Sequence, residues 1–194
     1  IRRKLKVGGL LYISYNTQPG WGAFAPMRHL LAQHTEVMGA GGQGIVGKID
    51  GAIDFAERLL ATNPAYLQAN PQITKRIERI KGQNRQYVAH EYFNQDWEPM
   101  HFDDMHKWLS QAKLEFVCSA HYAEHIDEVN ITPQQQQFLK QISDKVFRES
   151  TRDFMTNQQF RRDFWMKGAR QLGARERGDA IRAQRVILTT APAE

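Results

Sequence analysis

Val7-Gly8-Gly9-Leu10-Leu11-Tyr12-Ile13-Ser14-Tyr15-Asn16-Thr17-Gln18-Pro19-Gly20-Trp21 is the stretch on which the fold turns. Leu10 to Tyr15 is apolar on both parities, the pattern of a strand covered on both faces in a mainly parallel sheet. It stops where Pro19 and Gly20 break the ladder and make a turn. Open α/β sheets place ligands at such strand ends. Leu114-Glu115-Phe116-Val117-Cys118 alternates and is rich in β-formers, so it reads as another strand. Phe160 to Lys167 and Arg185 to Thr190 are further strand candidates.

Helices fill the space between. Phe24, Met27, Leu30 and Leu31 predict a short one, and Ile45, Ile49, Ile53, Ala56 and Leu60 a longer one. Ile73, Ile77 and Ile80 predict a third after Asn70-Pro71. Beyond Pro99, Asp103-Asp104 reads as an N-cap with a second acid matching the helix dipole, with Met105, Trp108, Leu109 and Ala112 facing inward. Thr132-Pro133 starts a helix that runs on with Phe138, Leu139, Ile142, Val146 and Phe147 on one face. The sum is a helix-rich α/β chain.

With 194 residues, 41% of them hydrophobic and 10% aromatic, the chain has room for one ordinary domain and is too apolar for wholesale disorder. Its longest apolar stretch, Gly8 to Tyr15, is far short of the roughly 18 residues of a membrane helix. One cysteine, Cys118, excludes an intramolecular disulfide and fits a reducing cytoplasm. The chain starts at Ile1 rather than at methionine, which suggests a piece cut from a larger protein. Charge is uneven: residues 1 to 6 carry +4, residues 7 to 144 a net −4 and residues 145 to 194 a net +5. Gln159 to Lys167 mixes cations with aromatics and could track a nucleic-acid backbone. No recognisable nucleic-acid motif accompanies it, so a solvated basic face is the simpler reading.

Three short motifs carry chemical possibilities. Gly39-Ala40-Gly41-Gly42-Gln43-Gly44 fits G-x-G-x-x-G, but the residues before it read as the end of a helix instead of the buried strand that a nucleotide loop needs. It reads as a helix connection. His121-Tyr122-Ala123-Glu124-His125 fits H-x-x-E-H, which on a helix would bring two imidazoles to one metal. No further ligand motif follows, so these read as surface histidines and no metal is expected. Cys118, mid-strand, reads as a small buried thiol rather than a nucleophile.

The run Val7 to Trp21 closely resembles a late strand of bacterial class I, S-adenosylmethionine-dependent methyltransferases that carry a methyltransferase regulatory domain. Tyr87-Val88-Ala89-His90-Glu91-Tyr92-Phe93-Asn94 with Trp97-Glu98-Pro99-Met100-His101-Phe102 is similar to that family's His-Glu-Tyr and Glu-Pro segment. Phe102 to Ala120 resembles its following helix and strand, and Arg152-Asp153-Phe154-Met155-Thr156-Asn157-Gln158-Gln159-Phe160-Arg161-Arg162-Asp163 its downstream segment. The matches run in order over residues 7 to 168.

The resemblance implies the C-terminal part of a Rossmann-like methyltransferase sheet with an inserted helical domain. Its fifth strand would lie near residues 10 to 15, its sixth near 114 to 120 and its reversed seventh near 160 to 167. Residues 1–22 would end one part of the core, 23–98 form a helical regulatory or recognition insertion, 99–170 return to the core, and 171–194 form a basic tail. The cofactor, S-adenosylmethionine, would be bound mainly by residues upstream of Ile1, so this stretch alone is expected to be inactive. The family includes protein-lysine methyltransferases, which implies a protein amine as acceptor. Tyr15, Asn16 and Trp21 would line the acceptor side, Trp21 as an aromatic wall for a cation, while His90, Glu91 and Tyr92 would form an acceptor-site or interface cluster. Asn16, Pro19 and Gly20 as mere turn formers, and Tyr92 as a buried helix-end residue, are the plainer alternatives. The insertion could inhibit, recruit or form a homodimer. A noncatalytic protein-interaction module built on residues 44 to 98 is the competing function.

Overall fold

A computed structural model describes residues 1–39, 42, 44–185 and 187. Three strands, β1 (Leu10–Asn16), β2 (Leu114–Ser119) and β3 (Phe160–Lys167), form one sheet in the order β1-β3-β2. β3 is antiparallel to both neighbours, with Tyr12 opposite Phe164 and Phe116 opposite Trp165. Among the described residues the last strand in sequence is therefore the middle strand in space, and β1 and β2 run the same way on either side of it. The helix-rich α/β expectation holds, and the strand bounds fall within two residues of those read from the sequence. The strand expected at Arg185 to Thr190 lies largely outside the described residues.

Between β1 and β2 come α1 (Ala25–Val37), α2 (Ile45–Ala61), α3 (Ala65–Ala69), α4 (Ile73–Lys81), α5 (Arg85–Tyr92) and α6 (Phe102–Ser110). A 3₁₀ turn (Tyr122–His125), α7 (Asp127–Asn130), α8 (Pro133–Lys140) and α9 (Lys145–Thr156) link β2 to β3, and α10 (Ala174–Arg182) follows. Two apolar clusters result. One gathers Trp21, Phe24, Leu31, Ile49, Ile53, Ile73, Ile77, Ile80, Val88 and Tyr92 from α1 to α5 and the turn before them. The three isoleucines of α4 share a face because they recur at three- and four-residue spacing. The other gathers Phe102, Met105 and Leu109 of α6 with Leu114 and Trp165 of the sheet.

Four expectations are corrected. β1 is not covered on both faces: Leu11, Ile13 and Tyr15 pack on the second cluster, whereas Leu10 and Tyr12 are 53% and 52% exposed. The antiparallel ladder needs no crossover helix on that side. The single helix expected from Thr132 through Phe147 is two helices, because the Asp144 side chain accepts a bond from the Phe147 amide and starts α9 afresh. Phe138 and Phe147 are consequently exposed. α6 starts two residues early, with His101 as N-cap and Asp103 and Asp104 already in its first turn. Trp108 of that helix points outward.

The turn after β1 is tied down tightly. The Gly20 amide donates to the Gln158 carbonyl at 2.8 Å, and a Cβ on Gly20 would lie 2.5 Å from that oxygen, so only glycine fits the approach. Thr17 makes an isolated parallel bridge to Met100. These contacts pin the end of β1 to the start of β3 and to the approach to α6.

Candidate functional site

The parallel ends of β1 and β2, with the first residues of β3, carry the polar chemistry of the sheet. On β3 the alternate residues Arg161, Asp163 and Trp165 point into the core. Two charges on an inward-facing parity need partners, since an unpaired buried ion is strongly unfavourable. Arg161, 5% exposed, finds three: Nε donates to Asp163 at 2.8 Å, Nη1 to Asp153 at 2.6 Å and Nη2 to Glu149 at 3.1 Å. Its guanidinium also lies 4.3 Å over the Phe102 ring. The Tyr15 hydroxyl donates to Asp163 at 2.9 Å.

One guanidinium thus faces three carboxylates. Burial alone would lower the pKa of Arg161, but the attraction of Asp153 and Asp163 holds it above its ordinary value. Burial outweighs the pull of Arg161 on Asp153, whose carboxyl is pushed up to about 7. Burial also raises Asp163 and the Tyr15 hydroxyl. Asp153 Oδ2 and Asp163 Oδ1 have no hydrogen-bond partner among the described residues.

Because an unfolded Asp titrates near 3.9, between about pH 4 and pH 7 the folded Asp153 keeps a proton that the unfolded chain releases. Its contribution to stability is therefore full below the lower value and lost as pH rises through the upper one. Urea midpoints should be higher at pH 5.5 than at pH 8, and Asp153→Asn should flatten that difference. A midpoint that climbs with pH in the wild type but not in the variant would contradict the raised carboxyl.

The sequence-derived candidates fall into three groups. Tyr15 belongs to the Arg161 cluster. Asn16, Trp21 and Tyr92 come together: Trp21 Nε1 donates to Asn16 Oδ1 at 3.2 Å, and the Trp21 and Tyr92 rings meet edge to face at 5.8 Å. Phe24 and Trp97 complete this aromatic group. Trp21 is buried, and a cation already lies on its face, the Arg76 guanidinium of α4, 4.0 Å from the Trp21 ring and 4.5 Å from Phe24. Burial lowers the pKa of Arg76, and no carboxylate pairs with it among the described residues. His90 is exposed and Glu91 half-buried on the last turn of α5, whereas Tyr92 turns inward.

Gln159 to Lys167 is not a solvated basic face, since Arg161 is spent on internal carboxylates and Asp163 and Trp165 are buried. His121 and His125 do not share a helix face: His121 precedes the 3₁₀ turn, and His125 Nε2 bonds the Ser119 carbonyl at 2.6 Å. Among the described residues no group of three His, Cys, Asp or Glu could hold a metal ion, and no helix is long and apolar enough to cross a membrane. Gly39 and Gly44 lie between α1 and α2, a helix-to-helix junction, with residues 40, 41 and 43 outside the described set. Cys118 is half-buried on β2, and burial raises its thiol.

Sequence reasoning missed Arg76 and the carboxylate partners of Arg161. Parity on β3 was the available signal: a strand whose buried face contains Trp165 must also bury Arg161 and Asp163.

Known proteins match this arrangement. Residues 84–167, from the Asn84 cap of α5 to the end of β3, match the family model described as a predicted methyltransferase regulatory domain. An uncharacterised protein of Synechocystis sp. is 43% identical over 188 residues, covering 97% of this chain and 37% of the relative. An uncharacterised protein of Rickettsia prowazekii is 22% identical over 200 residues, 98% of this chain and 34% of the relative. The chain thus spans little more than a third of the length of these relatives. Among solved structures, PKMT2 from Rickettsia typhi in complex with AdoHcy superposes with a TM-score of 0.65 at 22% identity, covering 84% of this chain and 30% of that one. A second structure of PKMT2 from Rickettsia typhi superposes with a TM-score of 0.66 at 21% identity, covering 92% of this chain and 33% of that one. The chain therefore shares its fold with PKMT2 and, over residues 84–167, matches the model of a predicted methyltransferase regulatory domain.

Proposed function

We propose that this chain is part of an S-adenosylmethionine-dependent methyltransferase that acts on a protein amine such as lysine. The observation that carries the reading is the sheet, in which a reversed β3 lies between β1 and β2, joined to the methyltransferase regulatory domain match over residues 84–167. PKMT2, a structural neighbour, is held in complex with AdoHcy, which supports S-adenosylmethionine as the methyl donor. On this reading residues 1–22 and 99–170 belong to the catalytic core and 23–98 to a helical insertion. Regulation then straddles their junction, since the matched domain begins inside the helical part and ends on the sheet. The cofactor is held chiefly by residues outside this stretch.

Methyl transfer from a sulfonium to an amine is an in-line displacement, so the protein supplies alignment, a dry site and a neutral amine. Asn16 and the loop to Trp21, at the end of β1, are the residues of this chain proposed to face the acceptor. Asn16 is half-buried and its Oδ1 is oriented by the Trp21 indole, so its amide is held in one orientation. Exposed His90 and half-buried Glu91 on the last turn of α5 are proposed as contacts to the protein substrate.

The test is methyl transfer from radiolabelled S-adenosylmethionine to proteins by a longer protein in which this chain follows the residues proposed to bind the cofactor. Label recovered as methyl-lysine after acid hydrolysis is the expected result. Failure of that protein to bind S-adenosylmethionine in a calorimeter would overturn the reading.

A further inference from the structure

A cavity of about 240 Å³ opens between β2 and α9, lined by Cys118 and Ser119 on one side and by Arg148, Glu149 and Asp153 on the other, with Arg161 at its inner end. All of these residues lie within the span 84–167 that matches the regulatory-domain model. The space is far larger than one water needs, and its lining is rich in charge.

The charges around it do not balance. Asp127 is paired with Arg152 at 3.1 Å, and Glu124 is engaged by the Ser119 hydroxyl and by Arg162. Arg148 is exposed to water at the mouth, and His125 is occupied by the Ser119 carbonyl. That leaves Glu149, Asp153 and Asp163 sharing the single guanidinium of Arg161. Asp153 is only 2% exposed, lines the cavity, and leaves its Oδ2 without a donor. A buried carboxylate oxygen without a donor is unfavourable, so a ligand that supplies N–H groups is favoured on entry.

We infer that this cavity is a binding site for the primary ammonium group of a small organic amine, held by Asp153 Oδ2 and Glu149. A compact cation with three N–H donors satisfies the unpartnered oxygen and offsets the excess of carboxylates. A metal ion fits less well, because the carboxylates are not gathered into a group that could ligate one among the described residues. A quaternary ammonium has the charge but no donor. The site lies against β2 and α9 and borders the loop proposed for the methyl acceptor, since Gln158 in its lining accepts a hydrogen bond from the Gly20 amide at 2.8 Å. It goes beyond methyl transfer and does not depend on it. Arg161 joins the two regions, since it touches Asp153 at the cavity and, through Asp163, reaches Tyr15 on β1.

The test is titration of the 194-residue chain with n-butylammonium at pH 8, followed by calorimetry and by amide NMR shifts. Saturable binding with shifts at Cys118 and Ser119 is expected, weakened about tenfold or more by Asp153→Asn. Cys118→Leu, which fills the cavity and leaves the ion network intact, should abolish it even if the Asp153 variant does not fold. Tetramethylammonium should not bind. No saturable binding, equal binding by Cys118→Leu, or equal affinity for tetramethylammonium would each overturn the assignment.

Discussion

Arg161→Ala is expected to destabilise the chain by about 3–5 kcal/mol at pH 8, the usual effect of removing one member of a buried ion cluster. The loss comes less from broken bonds than from what stays behind. Glu149, Asp153 and Asp163 would face one another without the guanidinium that now bonds all three. The side chain also covers Phe102 at 4.3 Å, so the variant opens space beside the second apolar cluster. Lowering the pH should restore much of the lost stability, because protonated carboxyls no longer repel and can donate. Urea unfolding followed by circular dichroism at pH 8 and pH 5.5 measures both effects. Arg161→Lys would keep the charge but not the three-way geometry, and its midpoint should fall between those of wild type and alanine. An alanine variant as stable as the wild type at pH 8 would mean that the cluster is not ionised as described.

Trp21→Ala is expected to cost a further independent 3–5 kcal/mol, in the range of large aromatic truncations in cores. Trp21 meets Tyr92 and Trp97 edge-on, lies tilted against Phe24 and carries Arg76 on its face. Alanine removes that contact area and the ring that stabilises an arginine with no carboxylate partner among the described residues. Trp21→Phe separates the parts. It keeps an aromatic face for Arg76 but loses the indole N–H to Asn16, and should cost about 1 kcal/mol from the lost bond. The two Trp21 variants and the Arg161 variant lie in different clusters, so their effects should add. A Trp21→Phe cost equal to that of Trp21→Ala would show that the indole bond, not the packing, dominates.

Much of the architecture was legible from residue pattern. Isoleucines at 73, 77 and 80 can share a face only on a helix, and α4 is found there. Leu114 to Cys118 and Phe160 to Lys167 are strands, as their alternation implied. What failed was context. Apolar residues on both parities of β1 implied two covered faces, but among the described residues only one face is packed. Phe138 to Phe147 kept a helical period across Ser143-Asp144, and periodicity alone could not show that Asp144 would cap a new helix. At the site, Asn16, Trp21 and Tyr92 were each visible as single residues, whereas Arg76, more than fifty residues away in sequence from Trp21, was not, because no spacing rule links a helix flank to a distant turn. Arg161 illustrates the opposite case: as sequence it counted among solvated cations, and burial turned it into the hub of an internal network.

The position of β3 has a consequence for the order of events during synthesis. Leu10 pairs with Met166 and Leu114 with Lys167, so neither β1 nor β2 gains its ladder to β3 until the ribosome has released residues 160–167. The helical cluster from Trp21 to Tyr92 closes through shorter loops and can consolidate first. Until then the edges of β1 and β2 that face β3 lack partners, and shielding them in that interval is where a chaperone would matter most.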